Sequence, residues 1–244
     1  MQPQIVSAYD AGHHNRDLNL TVKRLDAAAT HKDLSTVIVI PAFGLLPTKV
    51  AAALMNLYPA PNHPRAILWA IGQEVGEAYS RTIEMVLADK YLSKFKYLLT
   101  IEHDNIPPVD GHVKLLAAME AHPEFAAIGG LYFTKGPGGV AQAWGDPTNS
   151  MNFKPLVPSA SGALVPCVGT GMGFTLFRMS MFKDKKLRRP WFKTTSSAEE
   201  GHSTQDLYFW KDAFKHGYRA AIDCSVRVGH YDYEGKFGPP DMTW

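Results

Sequence analysis

Apolar positions fall in short blocks separated by polar, Gly-rich and Pro-rich breaks, and the spacing inside each block predicts an element. Thr36-Val37-Ile38-Val39-Ile40 is an uninterrupted β-branched run, the pattern of a strand buried on both faces. Pro41 ends it, and Pro47 opens a helix that runs to about residue 58. Residues 66–71 read as a second strand and 74–90 as a longer helix. Residues 97–101 return to strand, 110–121 to helix and 125–133 to strand. Strands alternating with helices in this way predict an α/β fold with a mostly parallel sheet flanked by helices.

The second half changes character. Gly136-Pro137-Gly138-Gly139 and the Pro/Ser/Gly-rich stretch 145–166 predict loops. Residues 165–177 are strand-like around Gly169-Thr170-Gly171-Met172-Gly173, where missing side chains admit close approach by backbone or ligand. A polar loop over 194–203 precedes a helix over 204–216, closed by Gly217. Leu207, Trp210 and Phe214 mark the buried face of that helix. Short strands are expected over 218–223 and 225–229. The expected organisation is an N-terminal extension over 1–35 with a short helix near 17–29, a domain over 36–230, and an aromatic tail over 231–244. No internal repeat is visible.

Composition narrows the classes. A chain of 244 residues with 45% apolar content is long enough for one domain with a sizeable core. Twenty-five basic against 23 acidic residues leave a formal charge of +2, too balanced for a protein that coats nucleic acid through overall charge. No run is long and apolar enough to span a bilayer, and the start lacks the apolar core of a signal peptide. Cys167 and Cys224 are far apart without metal-site spacing, which argues against a disulfide scaffold and fits a cytoplasmic setting.

The chemistry concentrates where the strand Tyr97-Leu98-Leu99-Thr100-Ile101 runs into Glu102-His103-Asp104-Asn105-Ile106-Pro107-Pro108. Positions two apart in a strand face the same way, so Glu102 and Asp104 project together. Paired carboxylates repel unless a positive charge sits between them. Ligands of open α/β sheets bind at this carboxyl end. A hard divalent cation carrying a phosphorylated ligand would satisfy both facts. Asp-Asn-x-Pro is also ordinary turn chemistry, so an Asx-turn is the competing reading.

Taken in order, Pro41-Ala42-Phe43, Glu102-His103-Asp104, Gly169-Thr170-Gly171 with Gln205-Asp206, and His230 resemble the landmarks of a GT-A-fold glycosyltransferase of the family-2-like group, over roughly residues 36–230. The resemblance implies a nucleotide-diphosphate sugar as donor, a UDP-sugar favoured, and inversion at the anomeric carbon. It implies that residues 39–43, with Pro41, Ala42 and Phe43 at the turn, cradle the nucleoside. Glu102, His103 and Asp104 match the Asp-x-Asp motif, so Asp104 would hold Mn²⁺ or Mg²⁺ and His230 would complete that metal site. Arg81 matches an arginine that contacts the nucleotide, and Gly169, Thr170 and Gly171 match the stretch lining the sugar. Asp206 would be the catalytic base. Two residues depart from the pattern: Glu102 stands for an aspartate, which points to contact with ribose or through water, and Gln205 stands for an acid. Residues 231–244 are a candidate lid. The competing class is a nucleotide-sugar-binding module without catalysis.

One local charge excess remains. Residues 183–193 carry six basic side chains against Asp184, interleaved with Trp191 and Phe192. A solvated surface is one reading. The other is a grip on a polyanionic acceptor by Lys185, Lys186, Arg188 and Arg189, with Trp191 stacking. Hydroxymethylated DNA, as in phage DNA modification, would be such an acceptor; a lipid-phosphate or cell-surface glycan is the alternative.

Overall fold

The structure, a computed structural model, describes residues 4–9, 33–61, 63–146, 153–156, 164–197, 201–236 and 241–243. The expected helix near 17–29 lies outside them. In chain order come β1 (Gln4–Tyr9), β2 (Thr36–Ala42), α1 (Thr48–Asn56), β3 (Arg65–Ile71), α2 (Val75–Ala88) and β4 (Tyr97–Ile101). Next are β5 (Asn105–Ile106), α3 (Gly111–Ala121), β6 (Ala127–Leu131), β7 (Ala143–Trp144), β8 (Leu164–Cys167), β9 (Gly169–Thr170) and β10 (Phe174–Arg178). The chain continues with α4 (Met179–Lys183), β11 (Thr195–Ser197), β12 (Gly201–Ser203), α5 (Gln205–Lys215), β13 (Ala220–Arg227), β14 (Gly229–Asp232) and β15 (Asp241–Thr243).

Eight strands form the central sheet in the order β1-β3-β2-β4-β10-β6-β13-β8. β2, β3, β4, β6 and β13 run in one direction, while β1, β8 and β10 run against them. This is the α/β architecture with a mostly parallel sheet, flanking helices and smaller antiparallel sheets that the sequence predicts. No helix among the described residues is long and apolar enough to cross a membrane.

Strand alternation divides the core between the two sheet faces. Val37, Val39 and Leu98 pack with Tyr79, Ile83 and Val86 of α2 and with Phe209 and Trp210 of α5. The alternate residues Ile38, Ile40 and Leu99 pack with Leu115, Leu116 and Met119 of α3. Two faces buried at once explain why apolar residues follow one another in β2 and β4, with Thr36 and Thr100 the exceptions.

Three details differ from the sequence reading. The stretch 165–177 is not one strand but β8, β9 and β10, with β10 inserted antiparallel between β4 and β6. The two short strands expected over 218–229 are one strand, β13, with a register shift between Asp223 and Arg227. Residues 4–9, read as part of an outer extension, pair antiparallel with β3 at the sheet edge.

The basic run is the larger correction. Arg178 at the end of antiparallel β10 stands opposite Tyr97 at the start of β4. The chain therefore leaves β10 at the amino ends of the parallel strands. There the Lys183 ammonium donates to the Ser93 carbonyl (2.7 Å), and the Tyr218 hydroxyl donates to Asp184 (2.7 Å). Lys185 and Lys186 are exposed at that end, opposite the carboxyl ends that carry Glu102. Trp191 is 1% exposed and packs edge-on against Phe182, so it cannot stack on an acceptor. The Arg188 guanidinium lies 3.3 Å from the Tyr208 ring centre, and Arg189 covers the outside of Trp191 at 4.6 Å. Charge was visible in the sequence; its place in the fold was not.

Candidate active site

At the carboxyl ends of β2 and β4 a cavity of about 230 Å³ is lined by Pro41, Ala42, Phe43, Gln73, Glu102, His103 and Asp104, with Val75 from α2. Parallel pairing of β2 with β4 explains the grouping, since it brings the two strand ends side by side. Phe43 is 68% exposed on the rim and meets the His103 ring edge-on at 5.2 Å. His103 Nε2 lies 3.0 Å from the Tyr233 hydroxyl, and burial lowers the pKa of its imidazole. The Pro41–Phe43 turn and the Glu102–Asp104 motif thus converge as the sequence suggests.

Glu102 is a half-buried acid on the cavity wall. The Tyr79 hydroxyl, from α2, donates toward its Oε1 at 3.4 Å. Its amide N–H donates to the Gly173 carbonyl (3.2 Å), which fixes the turn after β4. Burial, reinforced by the negative charges of Asp104 and Asp206, pushes the Glu102 pKa up to about 8. At neutral pH it is mostly a neutral acid, able to donate as well as accept.

Asp104 is the opposite case. Burial works to raise its pKa, but the facing His230 imidazole and the Lys135 ammonium outweigh that and hold it well below the usual carboxylate range. Lys135 Nζ lies 2.6 Å from Asp104 Oδ2, and His230 Nε2 lies 3.6 Å from the same oxygen, an ion-pair distance rather than a hydrogen bond. Long-range pairing delivers the histidine: β14 runs antiparallel to β5, setting His230 opposite Asn105. The Tyr231 amide donates to the Asp104 carbonyl (2.8 Å), which ties the start of the tail to the motif. Asp104 is therefore an ion-cluster carboxylate rather than the side chain of an Asx-turn.

Asp206 lies in the first turn of α5 and is 6% exposed. The amino ends of α2 and α5 meet here, close enough that a Cβ on Gly76 would fall 3.2 Å from Cβ of Gln205. The Thr204 hydroxyl and the Leu207 amide N–H both donate to Asp206 Oδ1. Burial raises the Asp206 pKa, and those two donors pull it partly back. Its field reaches Glu102 and Tyr132, although it does not line the cavity itself. The carboxylate is held by Thr204 and its own helix.

Other expected residues have different work. Arg81 is exposed and paired with Glu77 one turn back (3.0 Å), away from the cavity. The α2 residue that does reach the site is Tyr79. Gly169, Thr170 and Gly171 are buried structural residues rather than a ligand surface. A Cβ on Gly169 would come within 2.5 Å of the Trp210 ring, and one on Gly171 within 2.1 Å of the Tyr132 hydroxyl. Trp210 Nε1 donates to the Thr170 carbonyl (2.7 Å), and the Gly173 amide donates to the Tyr132 hydroxyl (2.9 Å). Absent side chains let these two rings close in behind Glu102. Sequence reasoning also missed Lys135, Tyr132 and Gln73. Lys135 carries the weakest signal of the three, a lone cation two residues beyond Phe133 in a Gly-rich loop.

Among the described residues no three His, Cys, Asp or Glu side chains converge on one point. Asp104 and His230 nevertheless offer an oxygen and a nitrogen aimed at common ground. Magnesium-type ions are commonly held by one or two protein groups with phosphate oxygens and water completing the shell, so this pair fits a dication that arrives with a diphosphate.

The raised pKa of Glu102 has a consequence for stability. Between the ordinary carboxylate range and about pH 8 the folded chain holds a proton that the unfolded chain has lost, so stability falls as pH rises through that window. Asp206 acts in the same sense, and Asp104 in the opposite one at acid pH, where its stabilising charge is lost. Melting temperatures measured from pH 5 to pH 8 should therefore decline, and Glu102→Gln should flatten the decline. Parallel curves for the two proteins would show that Glu102 titrates normally.

No protein-family model matches the sequence, and no curated protein matches it either. Among solved structures the chain is similar to A197 from STIV, with a TM-score of 0.55 and 18% identity over 80% of this chain and 85% of that one. Residues 1–349 of S. aureus TarS give a TM-score of 0.49 at 12% identity, and the same protein in complex with UDP gives 0.47 at 11%. Each TarS match covers 80% of this chain and 59% of TarS 1–349. The likeness to A197 shows a shared α/β fold.

Proposed function

We propose that the protein is a GT-A-type glycosyltransferase that moves a sugar from a nucleotide-diphosphate donor, a UDP-sugar favoured, to an acceptor hydroxyl with inversion. The observation that carries this reading is the Asp104–Lys135–His230 ion cluster beside Glu102 at the carboxyl ends of β2 and β4, at a cavity rimmed by Phe43, with Asp206 buried within electrostatic reach of Glu102. Phe43 and His103 offer ring faces to a nucleoside base, an interaction worth about 1–3 kcal/mol per stacked base. Neutral Glu102 is suited to hydrogen-bond the ribose.

Asp104 and His230 would hold Mn²⁺ or Mg²⁺, which supplies positive charge against the departing diphosphate. Asp206 takes the proton of the attacking hydroxyl at a carboxylate oxygen; its raised pKa makes it a stronger base than an exposed aspartate. Tyr79, Tyr132 and the buried wall behind Glu102 keep water from that side, which limits wasteful hydrolysis of the donor. The acceptor contributes a hydroxyl. Lys185 and Lys186 lie at the far end of the sheet and Trp191 is buried, so the basic run does not offer this site a grip on hydroxymethylated DNA.

A thermal-shift screen of nucleotide sugars with and without Mn²⁺ tests the reading. One UDP-sugar should raise the melting temperature in Mn²⁺ and much less in EDTA, because a ligand that binds only the folded state stabilises it by mass action. Stabilisation by none of them would remove the donor assignment. Binding without donor turnover, with any acceptor, would favour the module without catalysis, which the low exposure of Asp206 makes the second reading.

A further inference from the structure

Asp104 Oδ2 faces two nitrogens at once, Lys135 Nζ at 2.6 Å and His230 Nε2 at 3.6 Å. The other ring nitrogen of the histidine, Nδ1, lies 2.7 Å from the Phe133 carbonyl oxygen, which can only accept. Nδ1 therefore carries a proton, which leaves Nε2 as the ring nitrogen that faces the carboxylate. The loop after Phe133 delivers the lysine, and its Gly136 and Gly138 adopt φ of +89° and +73°, left-handed conformations that favour glycine. The ammonium also lies 5.6 Å from the Tyr233 ring centre.

We propose that Lys135 is a tethered cation that competes with the divalent ion for Asp104 Oδ2 and passes to the donor's diphosphate when the ion takes its place. The inference rests on the glycosyltransferase reading. An ion held between Asp104 Oδ2 and His230 Nε2 repels an ammonium 2.6 Å from that oxygen, so the two cannot occupy it together. The displaced ammonium, at 19% side-chain exposure, needs a new anion, and the diphosphate is the anion that arrives with the ion. Metal alone then binds weakly, whereas metal and diphosphate reinforce each other, because each removes a penalty the other would meet. Lys135 is thus a positioning residue that makes the site respond to the complete metal–donor pair.

Calorimetric titration of the full chain tests this, first with Mn²⁺ alone and then with UDP at saturating Mn²⁺. Lys135→Met should bind Mn²⁺ alone about tenfold more tightly and UDP about tenfold more weakly, a coupling of ordinary size. Lys135→Arg, which keeps the charge, should stay near the wild type in both. A purely structural lysine would not move the two affinities in opposite directions. Unchanged or weaker Mn²⁺ binding by Lys135→Met overturns the proposal. Failure of UDP and every nucleotide sugar to bind the wild type sinks the donor assignment instead, and the Mn²⁺ titration still judges the competition by itself.

Discussion

Asp206→Asn should retain donor affinity and lose transfer by about 10²–10⁴-fold, the usual contribution of a positioned general base. Loss of kcat with an unchanged donor constant is the mark of an interaction made only in the transition state. The amide can still accept from Thr204 and Leu207 through its oxygen, so the start of α5 should keep its form. Replacing a buried acid of raised pKa by a neutral group should not lower the melting temperature at neutral pH, and that separates catalysis from folding. Transfer within a few-fold of the wild type would leave Asp206 a structural residue. Glu102, which lines the cavity beside it, would then be the carboxylate to test next.

Asp104→Asn should abolish metal-dependent donor binding. The substitution removes the carboxylate charge that Lys135 and His230 face and leaves the ammonium without its partner. Breaking a buried ion pair from one side costs about 3–5 kcal/mol, so the variant should also melt lower. Titrating donor in Mn²⁺ and in EDTA distinguishes the two effects. In the wild type the chelator should weaken binding strongly; in the variant both conditions should give the same weak constant. A wild-type-like response to Mn²⁺ in Asp104→Asn would remove Asp104 from the metal site.

Much of this architecture was legible because two-sided burial leaves a strong local mark. β2 carries a β-branched apolar run from Val37 to Ile40, and Trp210 marks the buried face of α5, although Phe209 and Ala213 complete that face rather than the expected Leu207 and Phe214. The acids after β4 were equally plain, since an apolar strand that ends in Glu102 and Asp104 breaks its own pattern. What the sequence concealed depends on contacts between distant segments. The antiparallel insertion of β10 reverses the chain and sends Lys185 and Lys186 to the wrong end for the site. Nothing local distinguishes glycines that admit a ligand from glycines that admit Trp210 and Tyr132. Nor does anything local announce that Lys135 and His230, 95 positions apart, share one oxygen of Asp104.

The pairing of β1 with β3 bears on how the chain can be handled. Six residues of β3, Ala66 through Ile71, hold their outer hydrogen bonds against a segment from the first ten residues. A chain trimmed to begin at Thr36, where the apolar core starts, would uncover that row of donors and acceptors on a strand that carries Leu68 and Trp69. Bare strand edges recruit other strands, including those of identical molecules. The first residues thus act as a guard against self-association, and shortened versions made for crystals or assays should keep them.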